Sequence, residues 1–362
     1  MALLQSTTIS GSNANTGSLS ITGSTMIFPI IESSLTGSFS GSGKMWVNAD
    51  GQTLQYSVQT SLGTIQSPSS FMGAWSTATS APISGYGTGG AGTQDAALWF
   101  GIYNGSSNTN CTLEYSGNAW SVGGNMIITR RDSTGGGSQN AAFTAGGYSN
   151  SYQSATEEYN GSSWASGGNM ITLSTSPKGG SQYSGIAAAG ADTSGANTLA
   201  TELYNGVNWV TGPNANNCHG NGSGIVGTQN AGIVGGERSP SQTNCTEEFN
   251  GTSWFSQNPY NALRSQQASF GDVNAAVFAG GYLAPSTNLL CTEEWNGISW
   301  TNACSLPSAD FRDSSQNMGS STAGRIVGSS SPFNGTNLEY TKDFIPPYTT
   351  CIWTSGALMN TS

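Results

Sequence analysis

The sequence predicts an all-β protein in which one sheet-forming unit recurs along the chain. Only 8% of its 362 residues are charged and glycine occupies 51 positions, whereas an ordinary globular domain has about 25% charged residues and about 7% glycine. Aromatic residues still make up 10% of the chain, which is too many for a disordered protein. The third observation is a regular recurrence of tryptophan, at Trp75, Trp120, Trp164, Trp209, Trp254, Trp300 and Trp353.

The first six tryptophans of this series are 44 to 46 residues apart, and Trp353 lies 53 residues after Trp300. A second motif follows the spacing of 44 to 46 residues and combines a threonine, an acidic residue and an aromatic one. Five copies read Thr112-Leu113-Glu114-Tyr115, Thr156-Glu157-Glu158-Tyr159, Thr201-Glu202-Leu203-Tyr204, Thr246-Glu247-Glu248-Phe249 and Thr292-Glu293-Glu294-Trp295, and a weaker sixth reads Asn337-Leu338-Glu339-Tyr340. A fixed period of this length indicates a repeat architecture, whose terminal copies are normally atypical.

Each unit also contains an apolar run upstream of this motif that ends in glycine. The copies are Ala141–Gly147, Gly185–Gly190, Ala231–Gly236 and Ala275–Gly281, with divergent ones at Ala97–Gly101 and Gly324–Gly328. Because these runs lack the polar alternation of a half-exposed strand, they predict strands that are buried on both faces.

Asn-Gly pairs lie between the acidic motif and the tryptophan, as in Asn160-Gly161 and Asn250-Gly251. A type I′ turn needs φ > 0 at both central residues, so these pairs predict tight hairpins. A unit of about 45 residues then holds four short strands, and no segment has the 3.6-residue apolar period of a helix. Six such units predict a six-bladed β-propeller, in which each blade buries its faces against its neighbours.

The double glycine, the tyrosine and the tryptophan at these offsets resemble the kelch repeat over roughly residues 70 to 345. The apolar strands are shorter and richer in alanine than is usual in kelch units. The Tyr-Asn-Gly-x-Ser-Trp form, as in Tyr159–Trp164, is similar to repeats of tailed-phage structural and fibre proteins. The resemblance implies a bacteriophage virion component.

Trp75 has no upstream unit of its own, so we expect its strand to complete the last blade and close the ring. The propeller then comprises residues 71–345, and residues 346–362 form a C-terminal tail packed on or beside the last blade. Two prolines in that tail cannot continue a strand ladder. The alternative arrangement places Trp353 in the sixth blade and builds a seventh blade from residues 44–75.

Residues 1–70 do not fit the repeat. They alternate small polar residues with isolated apolar ones, and residues 45–56 predict one hairpin that turns at Asp50-Gly51. The stretch resembles attachment segments of phage virion proteins and is small for an independent core. We therefore expect other virion proteins to contact it.

The recurring carboxylates are the first candidate for a ligand site, because a ring of carboxylates can hold a cation. The column comprises Glu114, Glu158, Glu248, Glu294 and Glu339. Its strand should be third from the propeller axis, so the column would not line the channel. A buried glutamate that accepts hydrogen bonds from backbone N–H groups or from arginine explains the pattern better. The arginines 10 to 12 residues after a tryptophan are the expected partners: Arg130, Arg131, Arg264 and Arg312.

The cysteines and the single histidine predict no chemistry. Cys111, Cys245 and Cys291 occupy one repeat position, where other units have alanine, so we expect small buried groups that are too far apart for disulfides. Cys218, Cys304 and Cys351 lie at unrelated positions, and all six cysteines are expected to be reduced. His219 lies beside Cys218 without a recognisable acid or oxyanion-hole motif.

The sequence therefore predicts no catalytic, metal or cofactor site and no enzymatic activity. A net charge of −10 makes nucleic acid a poor partner, and no apolar run is long enough for membrane insertion. The expected role is structural, in the tail, a fibre or the capsid decoration of a virion assembled in many copies in the host cytoplasm. The alternative is a receptor-binding module whose loop aromatics, such as Tyr148, Tyr152 and Tyr282, contact a host glycan or protein.

Overall fold

The computed structural model describes residues 45–47, 54–56, 73–87, 89–172, 174–217, 222–237, 242–308, 316–330 and 333–342. Every regular element in these ranges is a β-strand, and none of the described residues is helical. The all-β prediction is therefore confirmed. The chain divides into two compact units, Met1–Met72 and Gly73–Ser362.

The first unit contains one antiparallel strand pair, β1 (Met45–Val47) and β2 (Leu54–Tyr56). Met45 pairs with Tyr56, which is the register that the predicted hairpin requires. The turn residues Asp50 and Gly51 lie outside the described residues, as does the rest of residues 1–70.

The second unit consists of six four-stranded antiparallel sheets, which are the predicted six blades. Blade one is β4 (Gly89–Gly92), β5 (Ala96–Phe100), β6 (Thr112–Ser116) and β7 (Trp120–Val122); blade two is β8 (Gly135–Ser138), β9 (Ala141–Ala145), β10 (Thr156–Tyr159) and β11 (Trp164–Ser166); blade three is β12 (Lys178–Ser181), β13 (Ser184–Ala188), β14 (Thr201–Tyr204) and β15 (Trp209–Gly212). Blade four is β16 (Gly224–Thr228), β17 (Ala231–Glu237), β18 (Thr243–Phe249) and β19 (Trp254–Gln257); blade five is β20 (Ala268–Asp272), β21 (Ala275–Ala279), β24 (Thr292–Trp295) and β25 (Trp300–Ala303), with a small hairpin of β22 (Tyr282–Leu283) and β23 (Thr287–Asn288); blade six is β26 (Gly319–Ser320), β27 (Ala323–Ser330), β28 (Phe333–Thr341) and β3 (Ala74–Thr77).

The ring is closed by the strand that carries Trp75. β3 is the outermost strand of blade six and pairs with β28, so that Trp75 lies opposite Tyr340. The first strand of the propeller in the sequence thus completes its last sheet. The seven-bladed alternative is wrong, because the outer position of blade six is filled by β3. Trp353 and the tail at 346–362 lie outside the described residues.

The apolar runs that end in glycine form the second strand of each blade and lie at the centre of the packing. Between blades one and two, for example, Leu98 and Phe100 pack with Ala142, Tyr159 and Trp164. The other five clusters likewise contain residues of two consecutive blades. The apolar core is therefore distributed between blades, and no blade encloses a core of its own.

The regular spacing of tryptophan along the chain has a direct cause in the contact between blades. The indole N–H of Trp164 in blade two donates to the hydroxyl of Thr112 in blade one, at 2.8 Å. The same bond recurs from Trp209 to Thr156, from Trp254 to Thr201, from Trp300 to Thr246 and from Trp75 to Thr292, at 2.8 to 3.5 Å. Blade six has Asn337 in place of the threonine, and Trp120 donates instead to the carbonyl of Thr79 at 2.9 Å.

The Asn-Gly turns differ from the predicted type I′ geometry. Tyr159 pairs with Trp164, so the connection has four residues, and of its first two only Gly161 has a positive φ, at 92°. The side-chain oxygen of Asn160 accepts hydrogen bonds from the backbone N–H groups of Ser162 and Ser163, both at 3.0 Å. The predicted turn requires the asparagine backbone to be in the left-handed region. The asparagine instead caps a longer turn with its side chain.

We expect loss of the closing indole to destabilise the whole ring. Trp75→Ala removes the packing against Phe270 and Tyr340 and the bond to Thr292, which should lower the free energy of unfolding by about 3 kcal/mol. The control is Phe255→Ala, because Phe255 is on an equivalent outer strand and is 50% exposed. Chemical denaturation measures both. Equal losses in the two variants would contradict closure by Trp75.

Candidate functional site

The antiparallel order of each blade separates two ends of the propeller. Connections from the second to the third strand and from one blade to the next lie at one end, which we call the loop face. Segments 101–111 and 146–155 are examples. The short connections from the first to the second and from the third to the fourth strand, such as 182–183 and 160–163, form the opposite turn face.

Gln316 and Asn317 occupy the propeller axis. The Asn317 amide donates to the carbonyls of Gly135 and Lys178, at 2.8 and 2.7 Å, and its backbone N–H donates to Ser269 at 2.7 Å. These partners belong to blades two, three and five. A Cβ at Gly90 would lie 2.2 Å from the Gln316 carbonyl oxygen, so glycine is required there. Because the chain fills its own axis at these residues, surface for a ligand must be sought away from it.

The buried carboxylates of the acidic motif are not the ones that the sequence analysis singled out. Glu157 is buried and accepts hydrogen bonds from the backbone N–H groups of Ile127 and Ile128, at 2.6 and 3.1 Å, and from Arg130 at 2.7 Å. Glu202, Glu247 and Glu293 accept backbone N–H groups at the same position. The prediction assigned this acceptor role to the column, whereas it belongs mainly to the residue before the column, because neighbours on a strand face opposite sides. Within the column, Glu339 pairs with an arginine, Arg325 of its own blade.

Four of the five glutamates of the predicted column contact a tyrosine of the next blade, whereas Glu248 accepts a hydrogen bond from Gln257 of its own blade at 3.1 Å. The Tyr159 hydroxyl donates to Glu114 of the preceding blade, and burial together with that bond raises the pKa of Tyr159 to about 12. The same donation joins Tyr204 to Glu158, Tyr340 to Glu294 and Tyr115 to Glu339. These glutamates lie on the third strands, as predicted, so they line no axial cation site. No group of three or more His, Cys, Asp or Glu among the described residues is arranged to hold a metal ion.

Two of the four predicted arginines form buried pairs, with glutamates that lie beside the predicted column. Arg130 pairs with Glu157 and Arg264 with Glu293. Burial lowers the pKa of Arg130 to about 10, an effect that Glu157 opposes. Arg131 has a different environment, described below. Arg312 lies outside the described residues.

Blade three has no arginine at the position that Arg130 holds in blade two. Ser174 stands there, 10 residues after its tryptophan, and the cation comes from Lys178 on the innermost strand. The Lys178 ammonium is fully buried and donates to the carbonyls of Ser174 and Ser176, at 2.9 and 2.7 Å. Desolvation lowers its pKa to about 7; Arg130 adds to that shift and Glu202 opposes it.

The cysteine column is half-buried, which corrects the prediction of buried groups. Cys111, Cys245 and Cys291 are free thiols of intermediate exposure, as is Cys304. They lie at the loop end of the third strands, where Arg264 donates to both the carbonyl and the sulfur of Cys291. His219, Cys218 and Cys351 lie outside the described residues.

A row of aromatic side chains crosses the loop face at blades six, one and two. This aromatic ridge comprises Phe333, Tyr86, Tyr103, Arg131, Tyr148 and Tyr152. Phe333, Tyr86 and Tyr103 contact one another, with ring centroids 5.4 to 6.0 Å apart, and the centroids of Tyr148 and Tyr152 are 5.4 Å apart. Arg131 lies between these two groups, with its guanidinium carbon beside Tyr103 and Tyr148. All six are partly exposed, and Phe333 is 46% exposed.

Arg131 joins the two halves of the ridge. Its guanidinium carbon lies 5.1 Å from the Tyr103 centroid and 4.9 Å from the Tyr148 centroid. Its Nε is 3.4 Å from Asp132, and its Nη1 is 3.5 Å from the side-chain oxygen of Asn108. Nη2 donates to none of the described residues, so its two N–H groups are available to a ligand.

Short backbone bridges hold the ridge in place. Tyr86 and Tyr103 exchange two backbone hydrogen bonds, at 3.1 and 2.8 Å, and Arg131 and Tyr148 exchange two, at 3.0 and 2.8 Å. These bridges extend the blades beyond their named strands. Tyrosine fixed by its own backbone gives a rigid contact surface that loses little entropy on binding.

Two of the three loop tyrosines named from the sequence, Tyr148 and Tyr152, lie in the ridge, and Tyr282 lies in blade five, apart from it. The sequence analysis missed Tyr86, Tyr103 and Phe333. Tyr103 could have been found, because it follows the first glycine after the apolar strand by two residues, as Tyr148 and Tyr282 do. Tyr86 and Phe333 carry no such signal, since Tyr86 lies in the connection before β4 and Phe333 is the first residue of β28 in an atypical blade.

Comparison with known proteins supports the propeller fold and assigns no function. No protein-family model and no curated protein matches the chain. Among solved structures it is similar to the structure of YjhT, with a TM-score of 0.56 and 11% sequence identity, over 73% of this chain and 96% of that one. At this identity the likeness is one of fold alone. Within the described residues, no helix has the length and apolar character needed to cross a membrane.

We expect the buried pair of blade five to behave as one unit. Glu293→Gln and Arg264→Met should each lower the free energy of unfolding by about 3 kcal/mol, because each leaves a buried charge without its partner. The double variant should lose less free energy of unfolding than the sum of the losses of the two single variants. Lys342→Met is the control, since Lys342 and Glu294 are partly exposed and such a pair contributes less than about 1 kcal/mol. Strict additivity would show that the pair is not coupled.

The lowered pKa of Lys178 predicts a pH-dependent stability. Unfolding returns the ammonium to its ordinary value of 10.5, so between pH 7 and 10.5 the unfolded chain binds more protons and stability rises with pH. The free energy of unfolding, relative to Lys178→Met, should rise by about 1 kcal/mol per pH unit between pH 7.5 and 9.5. Ile298→Ala, which changes an exposed neutral residue, should differ from the parent protein by a constant amount. A constant difference for Lys178→Met would contradict the prediction.

Proposed function

We propose that the chain is a non-enzymatic bacteriophage virion protein with kelch-like repeats, whose propeller is displayed as a binding module. Residues 1–70 attach it to the particle and contact other virion proteins. The loop face, through the aromatic ridge, contacts a receptor on the host surface.

The observation that carries this proposal is the ridge itself. The repeated tryptophans and threonines are engaged in contacts between blades, as the Trp164–Thr112 bond illustrates, and the buried glutamates accept N–H groups of the segments that connect the blades. The ridge is built from residues that are not repeated in all six units, and its side chains remain partly exposed. Rigid, amphipathic aromatic groups beside an arginine are the residue types that dominate binding surfaces.

The virion assignment has separate support in the sequence. The Tyr-Asn-Gly-x-Ser-Trp repeats are similar to those of tailed-phage structural and fibre proteins, and a low charge density favours packing of many copies. A second candidate function is capsid or tail decoration, in which the propeller packs against neighbouring virion proteins. Exposed apolar residues on the outer strands, such as Val122, Val210 and Phe255, favour it.

The test uses purified particles and adsorption to host cells. Mass spectrometry should find the chain in several copies per particle, and deletion of residues 1–70 should abolish its incorporation. Added full-length chain should slow adsorption of particles to host cells by competition, and the Tyr148→Ala chain should compete less well. Absence from the particle would refute the virion role. Incorporation without competition would favour decoration over receptor binding.

A further inference from the structure

We propose that the aromatic ridge binds a neutral saccharide chain, laid across blades six, one and two. The inference rests on the proposed function and specifies its ligand class. It is carried by three features of the ridge: the spacing of its rings, the free donors of Arg131 and the absence of uncompensated charge among the ridge side chains.

The ring spacing suits a polymer of small repeating units. Pyranose rings present an apolar C–H surface, which packs against the face or edge of an aromatic ring through dispersion contacts. Ring centroids are 5.4 to 6.0 Å apart within the group of Phe333, Tyr86 and Tyr103 and 5.4 Å apart within the pair of Tyr148 and Tyr152, comparable to the length of one sugar unit. Two small groups of rings joined by one arginine suit a narrow chain better than a protein, which needs about 800 Å² on each partner around an apolar centre.

Arg131 supplies the polar half of saccharide recognition. The two N–H groups of Nη2 have no hydrogen-bond partner among the described residues, and the guanidinium is held in position between Tyr103 and Tyr148. Adjacent sugar hydroxyls can accept both hydrogen bonds. Any cationic ligand would find this place between the rings already occupied by the arginine. Asn104 follows Tyr103 and Asn150 lies two residues after Tyr148, and both are exposed. The Asn104 side-chain oxygen already accepts hydrogen bonds from Ser106 and Ser107, so its NH₂ group is the part that can donate to a sugar hydroxyl, and the amide of Asn150 can donate or accept.

The charges favour a neutral chain over an acidic one. Asp132 lies 3.4 Å from the Nε of Arg131, so the local positive charge is compensated. The whole chain carries a net charge of −10, which repels a polyanion at long range. Sugar hydroxyls need only the directional N–H groups, which remain available.

The experiment titrates the full-length chain with neutral hexasaccharides of glucose, mannose, galactose and N-acetylglucosamine in both anomeric linkages, and with hexagalacturonate as the acidic member. Isothermal calorimetry measures binding. At least one neutral hexasaccharide should bind, and more tightly than hexagalacturonate. Tyr148→Ala and Arg131→Gln should each weaken it about tenfold or more, since each removes one stacking or charge-assisted contact.

The matched control is Tyr183→Ala, because Tyr183 is 68% exposed and lies on the turn face; it should leave affinity unchanged. Phe333→Ala provides a second ridge variant whose exposed ring is less needed for folding, and thermal unfolding verifies that each variant is folded. Failure of every neutral hexasaccharide to bind, tighter binding of hexagalacturonate, or binding that survives all ridge substitutions overturns the inference.

Failure of the saccharide inference can be distinguished from failure of the proposed function. If the chain competes with particles for host cells and loses this activity in Tyr148→Ala, receptor binding stands. In that case, competition that survives periodate oxidation of the cells but not protease treatment identifies a protein receptor and overturns the saccharide. Competition that is lost after periodate treatment supports it.

Discussion

The hydrogen bond from the indole of one blade to the threonine of the preceding blade is the constraint on which the propeller depends. A four-stranded sheet of this size exposes both faces, and only its neighbours can cover them. Trp164 provides a large apolar ring and one hydrogen-bond donor, its indole N–H. The hydroxyl oxygen of Thr112 accepts that bond, at 2.8 Å from the indole nitrogen. Orientation and packing are thereby fixed together. Because Trp75 makes the same bond across 217 residues of sequence, the ring closes by the interaction that builds it.

A second layer of contacts shows how repeats that differ remain compatible. Where the acidic column has Glu158, the next blade provides the tyrosine hydroxyl of Tyr204 at 2.7 Å. Where the column has Leu203, the next blade has Phe249, without a hydroxyl. An unpaired carboxylate or hydroxyl at this half-buried boundary would be costly. Because leucine replaces the glutamate where phenylalanine replaces the tyrosine, no polar group is left without a hydrogen-bond partner at that boundary. Lys178 makes a similar adjustment near Glu202, where the arginine is missing.

The fold could be predicted from sequence because its determinants are periodic and local. The tryptophan interval, the apolar strands that end in glycine and the unpaired Trp75 strand each survive in a single sequence. Side-chain direction was harder: Glu157 and Glu158 are adjacent, and only the pairing register decides which one is buried. The Asn160 turn was misassigned because the same residue type either adopts φ > 0 or caps a turn with its side chain. No local pattern predicts that Asn317 bonds to Gly135, 182 residues away.

The candidate site was the least predictable part for the same reason. Tyr148 and Tyr152 are near in sequence, but the ridge exists only because ring closure brings Phe333 within 6.0 Å of Tyr103 and because blade two places Arg131 beside blade one. Residues that are identical in every unit are held by the geometry that the units share, so selection for closure leaves them little freedom. Residues that vary between units and lie on the loop face have that freedom. In a ring of near-equivalent blades, specific recognition requires asymmetry, and the ridge concentrates its aromatic rings on three consecutive blades. The closed ring of blades provides the rigidity that binding needs. The side chains that would contact a ligand stand at loop positions where the repeat units differ from one another.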